Sequence, residues 1–227
     1  MPAFPGDKLS LNVVQAPGSG TVSLTGTSVQ YLPAGRHPVT NVSFSFYLAD
    51  QDGQTTPIVT VLAAGEGSHT LAGAATGYTD ISLGKGENAI ALSGSHNTVA
   101  LQSGSDIVRG GTDDTIAING NTSLAISGSN EMVFVSGNAS IADRSTGLQV
   151  EVGQTTGHVV ISGFAADPTG VVDPTGGVGG FADVAAVLSA LTSDDHGGTQ
   201  LSLGTASALD FAGVTPSQLH AANFHIS

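Results

Sequence analysis

One group of residues that could bind a metal ion is a short acidic turn, in which Asp50 and Asp52 alternate with Gln51 before Gly53. Carboxylates at this spacing are typical ligands of Ca²⁺, which accepts about six to eight oxygen ligands at flexible angles. A complete EF-hand loop also requires a glutamate at its twelfth position, where this chain has Val61. The segment is therefore either a turn with solvated carboxylates or a calcium site to which Asp50 and Asp52 contribute.

Other chemical constellations are weak in this sequence. The seven histidines contain no His-Glu-x-x-His motif and no pair four residues apart, which argues against a transition-metal centre. A Gly-x-Gly-x-x-Ala pattern spans residues 177–182. Asp173 and Pro174 before it predict a turn, whereas a nucleotide-binding unit has a parallel strand there. No Gly-x-Ser-x-Gly elbow or phosphate-binding loop is present. We therefore predict that the protein is not an enzyme.

The composition restricts the partners of the chain. Among its 227 residues, 18 acidic side chains stand against 5 basic ones, for a formal net charge of −13. Such a surface repels nucleic acid and anionic membranes and attracts divalent cations. The absence of cysteine excludes disulfides and thiolate metal sites, and no apolar stretch is long enough to span a membrane. The first five residues do not have the pattern of a signal peptide, so export would need another route.

The elements that must position these residues follow from a repeat of about nine residues in the middle of the chain. Apolar anchors separated by Gly-rich turns at this spacing predict a parallel β-solenoid, or β-roll, over residues 65–163. With two repeat units in each coil, neighbouring coils bury each other's apolar faces. One sheet is then expected to carry Ile90, Val108, Leu124, Ile141 and Val159, and the opposite sheet Ile81, Val99, Ile116, Val133 and Val150.

The segment before the solenoid, residues 1–64, contains short alternating strands and turns that predict a small β-sandwich. It resembles a cadherin-like tandem repeat of large bacterial surface proteins. The resemblance rests on Gly6-Asp7-Lys8-Leu9, Gly20-Thr21-Val22, Tyr31-x-Pro33 and residues 44–53, and the chain departs from the family at Arg36-His37-Pro38.

The segment after the solenoid, residues 164–227, predicts a C-terminal cap with one or two short helices. Phe181, Val184, Val187, Leu188 and Leu191 have helical spacing. Thr215 and Pro216 are suited to begin a second short helix, because proline is tolerated in the first turn. The fold class expected for the whole chain is therefore mainly all-β.

One repeat unit reads Gly110-Gly111-Thr112-Asp113-Asp114-Thr115-Ile116. It is one residue short of Gly-Gly-x-Gly-x-Asp-x-apolar-x, so the array resembles a degenerate RTX protein, the calcium-binding β-roll class that type I secretion exports. The resemblance implies export guided by an uncleaved C-terminal segment, with the type I secretion machinery as a partner. It also implies a location outside the cell or on the bacterial cell surface.

In the resembling family, an aspartate two residues before the anchor binds calcium between coils. Only Asp106 and Asp114 keep that aspartate here, with Asp113 beside them. Stacking is expected to place Asn88 above Asp106 at one edge, and Asn97 with Asp114 and Glu131 along the other. Two interpretations remain open. Calcium binds near Asp106, Asp113 and Asp114 with Asn88 and Asn97 in the same columns, or an asparagine ladder joins the coils without metal.

The sequence therefore predicts a secreted, non-enzymatic structural or adhesive module with a calcium-stabilised β-roll and a cell-surface or polysaccharide ligand. The alternative is an accessory C-terminal module of a secreted polysaccharide-modifying or hydrolytic enzyme. A solenoid face that binds ice or carbohydrate is disfavoured, because Thr98, Thr115 and Thr122 form no regular array and the chain has no tryptophan.

Overall fold

The computed structural model describes residues 8–34 and 41–227. Gly6, Asp7 and the family departure at Arg36-His37-Pro38 lie outside the described residues. The strands are β1 (Ser10–Gln15), β2 (Thr21–Thr25), β3 (Ser28–Leu32), β4 (Asn41–Ala49), β5 (Val59–Ala64), β6 (His69–Ala72), β7 (Tyr78–Leu83), β8 (Gly86–Ala91), β9 (Thr98–Leu101), β10 (Gly104–Thr112), β11 (Thr115–Asn119), β12 (Thr122–Ser129), β13 (Met132–Asp143), β14 (Gln149–Ser162), β15 (Val171–Pro174), β16 (Thr192–Ser193), β17 (Thr199–Ser202) and β18 (Ala208–Ala212). An α-helix, α1, spans Val184–Ala190, and four short 3-10 helices span Phe164–Ala166, Val178–Gly180, Pro216–Gln218 and Ala221–Asn223.

Two parallel walls form a β-solenoid of about six turns, as the repeat predicted. The first wall contains β5, β7, β9, β11, the first halves of β13 and β14, and β15. The second wall contains β6, β8, β10, β12, the second halves of β13 and β14, and β18. The chain visits the walls alternately, so from β5 to β12 the parallel pairs join every second strand. β13 and β14 each contribute to both walls, so there the parallel pairs join consecutive strands.

The apolar anchors of the first wall stack as predicted. Ile81 lies opposite Val99, and the column continues in register through the next three coils. Each of these side chains is almost completely buried in the space between the walls. Because successive strand residues point to opposite faces, every second position faces inward and the intervening polar residues face solvent. The column consists of Ile81, Val99, Ile116, Val133 and Val150.

The second wall has a different register from the predicted one. Val108 lies opposite Ile126, and Leu124 lies opposite Asp106. The predicted column of Ile90, Val108, Leu124, Ile141 and Val159 is therefore wrong from β12 onward, although all five residues do belong to this wall. The reason is coil length. The ladder keeps 18 residues per coil from β8 to β12, so the inward position opposite Leu124 is occupied by an acidic residue instead of an apolar anchor.

The N-terminal strands continue the first wall. β4 pairs antiparallel with β1 and β5, and β5 pairs in parallel with β7. The β2–β3 hairpin forms a second layer, in which Val22, Leu24 and Tyr31 pack against the cluster around Phe44 and Phe46. The predicted boundary at residue 64 thus falls within a continuous hydrogen-bonded sheet, because β5 contributes to both parts.

The C-terminal segment closes the other end of the solenoid. β15 and β18 pair in parallel with the two halves of β14, so both walls extend beyond the predicted boundary at residue 163. The predicted helix is present as α1, whose first turn is capped by the Asp183 side chain accepting a hydrogen bond from the Ala186 amide at 2.8 Å. Phe211 packs against Phe164 and Phe224 over the last coil. These three rings cover the end of the apolar interior.

One turn prediction in this segment is wrong. Asp173 and Pro174 belong to β15, a parallel strand paired with residues 151 and 152 of β14. Proline is tolerated here because it occupies the last position of an edge strand. The glycines that follow Pro174 do not lie at the start of a long α-helix, as those of a nucleotide-binding unit would. They enter the 3-10 helix Val178–Gly180, and α1 begins only at Val184.

Candidate functional site

Two ladders of polar side chains lie inside the solenoid, each at a corner where the chain enters a wall. In the first corner ladder, Asn88 and Asp106 lie on adjacent coils, and Asn88 Nδ2 donates to Asp106 Oδ1 at 2.7 Å. The second corner ladder contains Asn97, Asp114 and Glu131 on three successive coils. All five side chains are at most 3 % exposed. The predicted stacking of these residues is therefore confirmed.

The second corner ladder connects side chains to the backbone of the coil before. Asn97 Oδ1 accepts the Thr79 amide at 3.0 Å, and Asp114 Oδ1 accepts the Asn97 amide at 2.7 Å. Glu131 in turn accepts a hydrogen bond from the Asp114 amide. Buried amides need an acceptor, and these side chains supply it. The ladder is thus part of the hydrogen-bonded structure of the solenoid.

The ladder is interrupted at Leu148, one coil after Glu131, and resumes on the following coil with Asp167. Its Oδ2 atom accepts the Leu148 amide at 2.8 Å, while Oδ1 accepts the hydroxyl and amide of Thr169. Asp143 lies at the adjoining corner and accepts the hydroxyl and amide of Ser145 through Oδ1. Sequence reasoning did not identify either residue as part of a site. The available signal was that Asp143 interrupts the second apolar position of the repeat.

Both ladders, and Asp143 at the adjoining corner, contain buried oxygens that have no hydrogen-bond partner among the described residues. Four of these five atoms belong to carboxyl groups. An unpaired buried polar atom costs about 1–3 kcal/mol, and more if it is charged. A proton or a cation on these oxygens would remove that cost. The atoms are Asn88 Oδ1, Asp106 Oδ2, Asp114 Oδ2, Glu131 Oε2 and Asp143 Oδ2.

Burial raises the pKa of the carboxyl groups that have such an unpaired oxygen. It raises the pKa of Asp106 and Asp114, while hydrogen bonds from Asn88 and Asn97 partly oppose the effect. Burial, together with the negative charge of Asp114, raises the pKa of Glu131 to about 8. In Asp167, by contrast, burial is outweighed by the hydrogen bonds that the carboxylate accepts, and the pKa is lowered. Glu131 therefore holds a proton at neutral pH unless a cation replaces it.

Two turn glycines leave room for the carboxyl groups of Asp114 and Glu131 to lie against the backbone. A Cβ atom added to Gly111 would overlap Asp114 Oδ2, and one added to Gly128 would overlap Glu131 Oε1 and the Gly110 carbonyl. Both glycines also have positive φ angles. The glycine turns thus place backbone beside the carboxyl oxygens, which is the arrangement that mixed carboxylate and carbonyl cation sites use.

The other predicted metal ligands lie elsewhere. Asp113 is exposed on the outside of its turn, where it accepts a hydrogen bond from Asn130 Nδ2 at 3.0 Å. Asp50 caps its own loop by accepting the amides of Asp52 and Gln54 at 3.0 and 2.8 Å, and Asp52 is exposed. Asp50 and Asp52 thus have the contacts of a structural turn, and the ladders contain Asn88, Asn97, Asp106 and Asp114.

Within residues 8–34 and 41–227, no group of three or more His, Asp or Glu side chains is arranged to hold a metal ion. A calcium ion at a corner would therefore combine one or two carboxyl groups with amide oxygens, backbone carbonyls and water.

Among the same residues, no helix has the length and apolar character needed to cross a bilayer. No protein-family model, curated protein or solved structure matches the chain. The RTX and cadherin-like resemblances therefore stay predictions.

Proposed function

We propose that this chain is a non-enzymatic structural or adhesive module, secreted or displayed on a bacterial surface, whose β-roll is stabilised by calcium. The observation that carries the proposal is the set of buried carboxyl oxygens without partners in the two corner ladders. They lie beside glycine turns in a chain of net charge −13. Export through the type I secretion machinery is part of the proposal and rests on the resemblance of the repeat.

Calcium fits the donor set better than a transition metal does. The available atoms are carboxyl, amide and carbonyl oxygens, which hard cations prefer, and the chain has no thiolate. Asp106 would hold an ion at the first corner ladder, with Asn88 as its neutral neighbour. Asp114 and Glu131 would hold an ion at the second, where Asn97 is the neutral member. Bound calcium would supply positive charge between coils and relieve the cost of burying the carboxylates. The stiffness of the rod would then depend on the calcium concentration outside the cell.

Differential scanning calorimetry in chelator and in millimolar calcium tests this proposal. We expect calcium to raise the melting temperature by about 5–10 °C, because a ligand that binds only the folded state stabilises it by mass action. Magnesium at the same concentration should have a smaller effect, since it dehydrates reluctantly and requires octahedral geometry. Identical melting curves in chelator and calcium would reject calcium stabilisation.

Asp114→Asn and Asp106→Asn test the two ladders separately. Each variant should lose part of the calcium-induced shift, because it removes one negative oxygen donor and changes little else. Asp195→Asn is the matched control, since Asp195 is exposed and lies in the loop between β16 and β17. If Asp195→Asn reduces the shift as much as the ladder variants do, the effect is general charge screening.

A further inference from the structure

A cavity of about 310 Å³ lies on the outer face of the first wall, outside both corner ladders. It opens where β7 and β9 meet the loop that precedes β5. Tyr78 and Asp80 of β7, His96 and Thr98 around the start of β9, and Pro57 of the loop contribute to its lining. Ligand pockets typically combine apolar and aromatic walls with a few converging polar groups, and this cavity has that composition.

Two rings form one side of the cavity. The centroids of Tyr78 and His96 are 5.9 Å apart, with an angle of 48° between the ring planes. His96 has a φ of 60°, which is uncommon for a residue other than glycine. Its amide donates to the Thr112 carbonyl at 3.1 Å, and its Nδ1 atom contacts Ser95 Oγ at 2.9 Å. The backbone of the next coil thus holds the imidazole beside Tyr78.

The polar side of the cavity is a carboxylate with a hydroxyl. Asp80 lies opposite Thr98 in the parallel ladder and accepts a hydrogen bond from its side chain. The surrounding protein partly desolvates the carboxyl group and raises the pKa of Asp80 above its ordinary value. The group nevertheless stays accessible to solvent. An accessible carboxylate with free acceptor capacity, next to aromatic rings, suits a ligand that offers hydroxyl donors and a C–H face.

A second cavity, of about 380 Å³, also borders Asp80. It lies between the β2–β3 hairpin and β4, and its lining includes Tyr31, Val42 and Val61. The two cavities therefore meet at one carboxylate. The second cavity is lined mostly by apolar residues, so the polar contacts to a ligand come from the first cavity and from Asp80.

We propose that this single cavity beside Tyr78, Asp80 and His96, rather than a regular array along the solenoid face, binds a neutral hexose unit of a polysaccharide. The inference deepens the adhesive function proposed above and rests on it. Aromatic rings pack against the C–H face of a sugar, while Asp80 and Thr98 hydrogen-bond its hydroxyl groups. A net charge of −13 and the carboxylate in the cavity disfavour uronic acids and phosphorylated ligands.

Isothermal titration calorimetry on the full chain tests this proposal with three neutral probes, cellohexaose, mannohexaose and a galactan oligosaccharide, and with oligogalacturonate as the anionic probe. We expect at least one neutral probe to bind and oligogalacturonate to bind at least about tenfold more weakly. Tyr78→Ala and Asp80→Ala should each weaken binding about tenfold or more. Tyr47→Ala and Asp195→Ala, matched substitutions outside the cavity, should leave the affinity unchanged, and circular dichroism checks that all four variants fold.

Three outcomes would overturn the proposal. These are no heat of binding from any neutral probe at about 10 mM, equal affinity for oligogalacturonate, and unchanged affinity in folded Tyr78→Ala and Asp80→Ala. The calcium-dependent melting experiment is independent of this cavity. If the melting shift is present and sugar binding is absent, only the hexose site is rejected. Sugar binding without a melting shift would reject calcium stabilisation alone.

Discussion

Asp114 Oδ1 accepts two hydrogen bonds from Asn97, one from the backbone amide at 2.7 Å and one from Nδ2 at 2.8 Å. The two residues are 17 positions apart, which corresponds to one coil. A single carboxyl oxygen therefore satisfies both the main chain and the side chain of the coil before it. The second oxygen, Asp114 Oδ2, is buried with no partner. One oxygen thus has a structural role, and the other is available to a cation or a proton.

This division predicts different effects for two substitutions of Asp114. In chelator, Asp114→Asn should be at least as stable as the native chain, because it keeps an acceptor for Asn97 and removes a costly buried charge. Asp114→Ala should lose about 2–4 kcal/mol of unfolding free energy, because two buried donors lose their acceptor. Urea denaturation in chelator measures both values. Equal destabilisation by the two substitutions would contradict the structural role of Oδ1.

The raised pKa of Glu131, about 8, predicts how stability depends on pH in chelator. The unfolded side chain titrates near pH 4.3. Between these values the folded chain keeps a proton that the unfolded chain has released, so the contribution of Glu131 to stability is complete below about pH 4.3 and is lost as the pH rises toward 8. The contribution of this group is at most about 1.4 kcal/mol per pH unit.

Glu131→Gln should remove this contribution and flatten the profile, because glutamine does not titrate. Denaturation midpoints between about pH 5 and pH 8 provide the measurement. Glu87→Gln is the control, since Glu87 is exposed on β8 and should leave the slope unchanged. A Glu131→Gln profile as steep as that of the native chain would show that other groups cause the pH dependence.

The turn glycines give a prediction about space rather than charge. Gly128→Ala should cost at least about 2 kcal/mol more than Gly204→Ala. Both positions have similar φ angles, +156° and +147°, so backbone strain is common to the two substitutions. Only the added methyl at position 128 meets Glu131 and the Gly110 carbonyl, whereas nothing lies within 4 Å at position 204. Chemical denaturation compares the two, and equal losses would mean that the close approach at Gly128 has no energetic consequence.

The C-terminal cap should contribute strongly to the stability of the solenoid. Phe211 is completely buried between Phe164 and Phe224, so Phe211→Ala should lose about 3–5 kcal/mol. Phe134→Ala should cost less than about 1 kcal/mol, because its ring is 37 % exposed on the outer face of the first wall. Thermal and urea unfolding of the two variants check the difference. Similar losses would indicate that the cap is not part of the cooperative core.

The histidine–aspartate contacts that join the cap to the solenoid should matter much less. His158 Nε2 lies 2.6 Å from Asp210 Oδ2, and His225 Nδ1 lies 2.7 Å from Asp173 Oδ2. Both histidines are more than half exposed, and exposed pairs contribute about 0–1 kcal/mol. A double-mutant cycle of His158→Ala and Asp210→Ala should therefore give a coupling energy below about 1 kcal/mol. A larger coupling energy would mean that the contact between His158 and Asp210 contributes substantially to holding the cap on the solenoid.

The spacing of residues along the chain was sufficient to predict the coil and its apolar interior. Inward and outward positions alternate along a strand. The distance in sequence between Ile81, Val99 and Ile116, which stack on successive coils, therefore gives the coil length. It also placed Asn97 and Asp114 in one column, because residues one coil apart stack. These are local properties of a repeat, and each coil follows the same rule as its neighbours.

Features that depend on distant segments could be identified only from the folded structure. β18 pairs with β14 in the second wall, where Asp210 contacts His158 although it comes 52 residues later in the chain, and no periodicity encodes such a pairing. The register at Leu124 likewise follows from hydrogen bonds between coils rather than from the nearest apolar residue. Side-chain orientation inside the packed interior determines which carboxyl oxygen accepts hydrogen bonds and which accepts none. That orientation is set by the surrounding coils together, and for this reason the spacing of residues along the chain does not specify it.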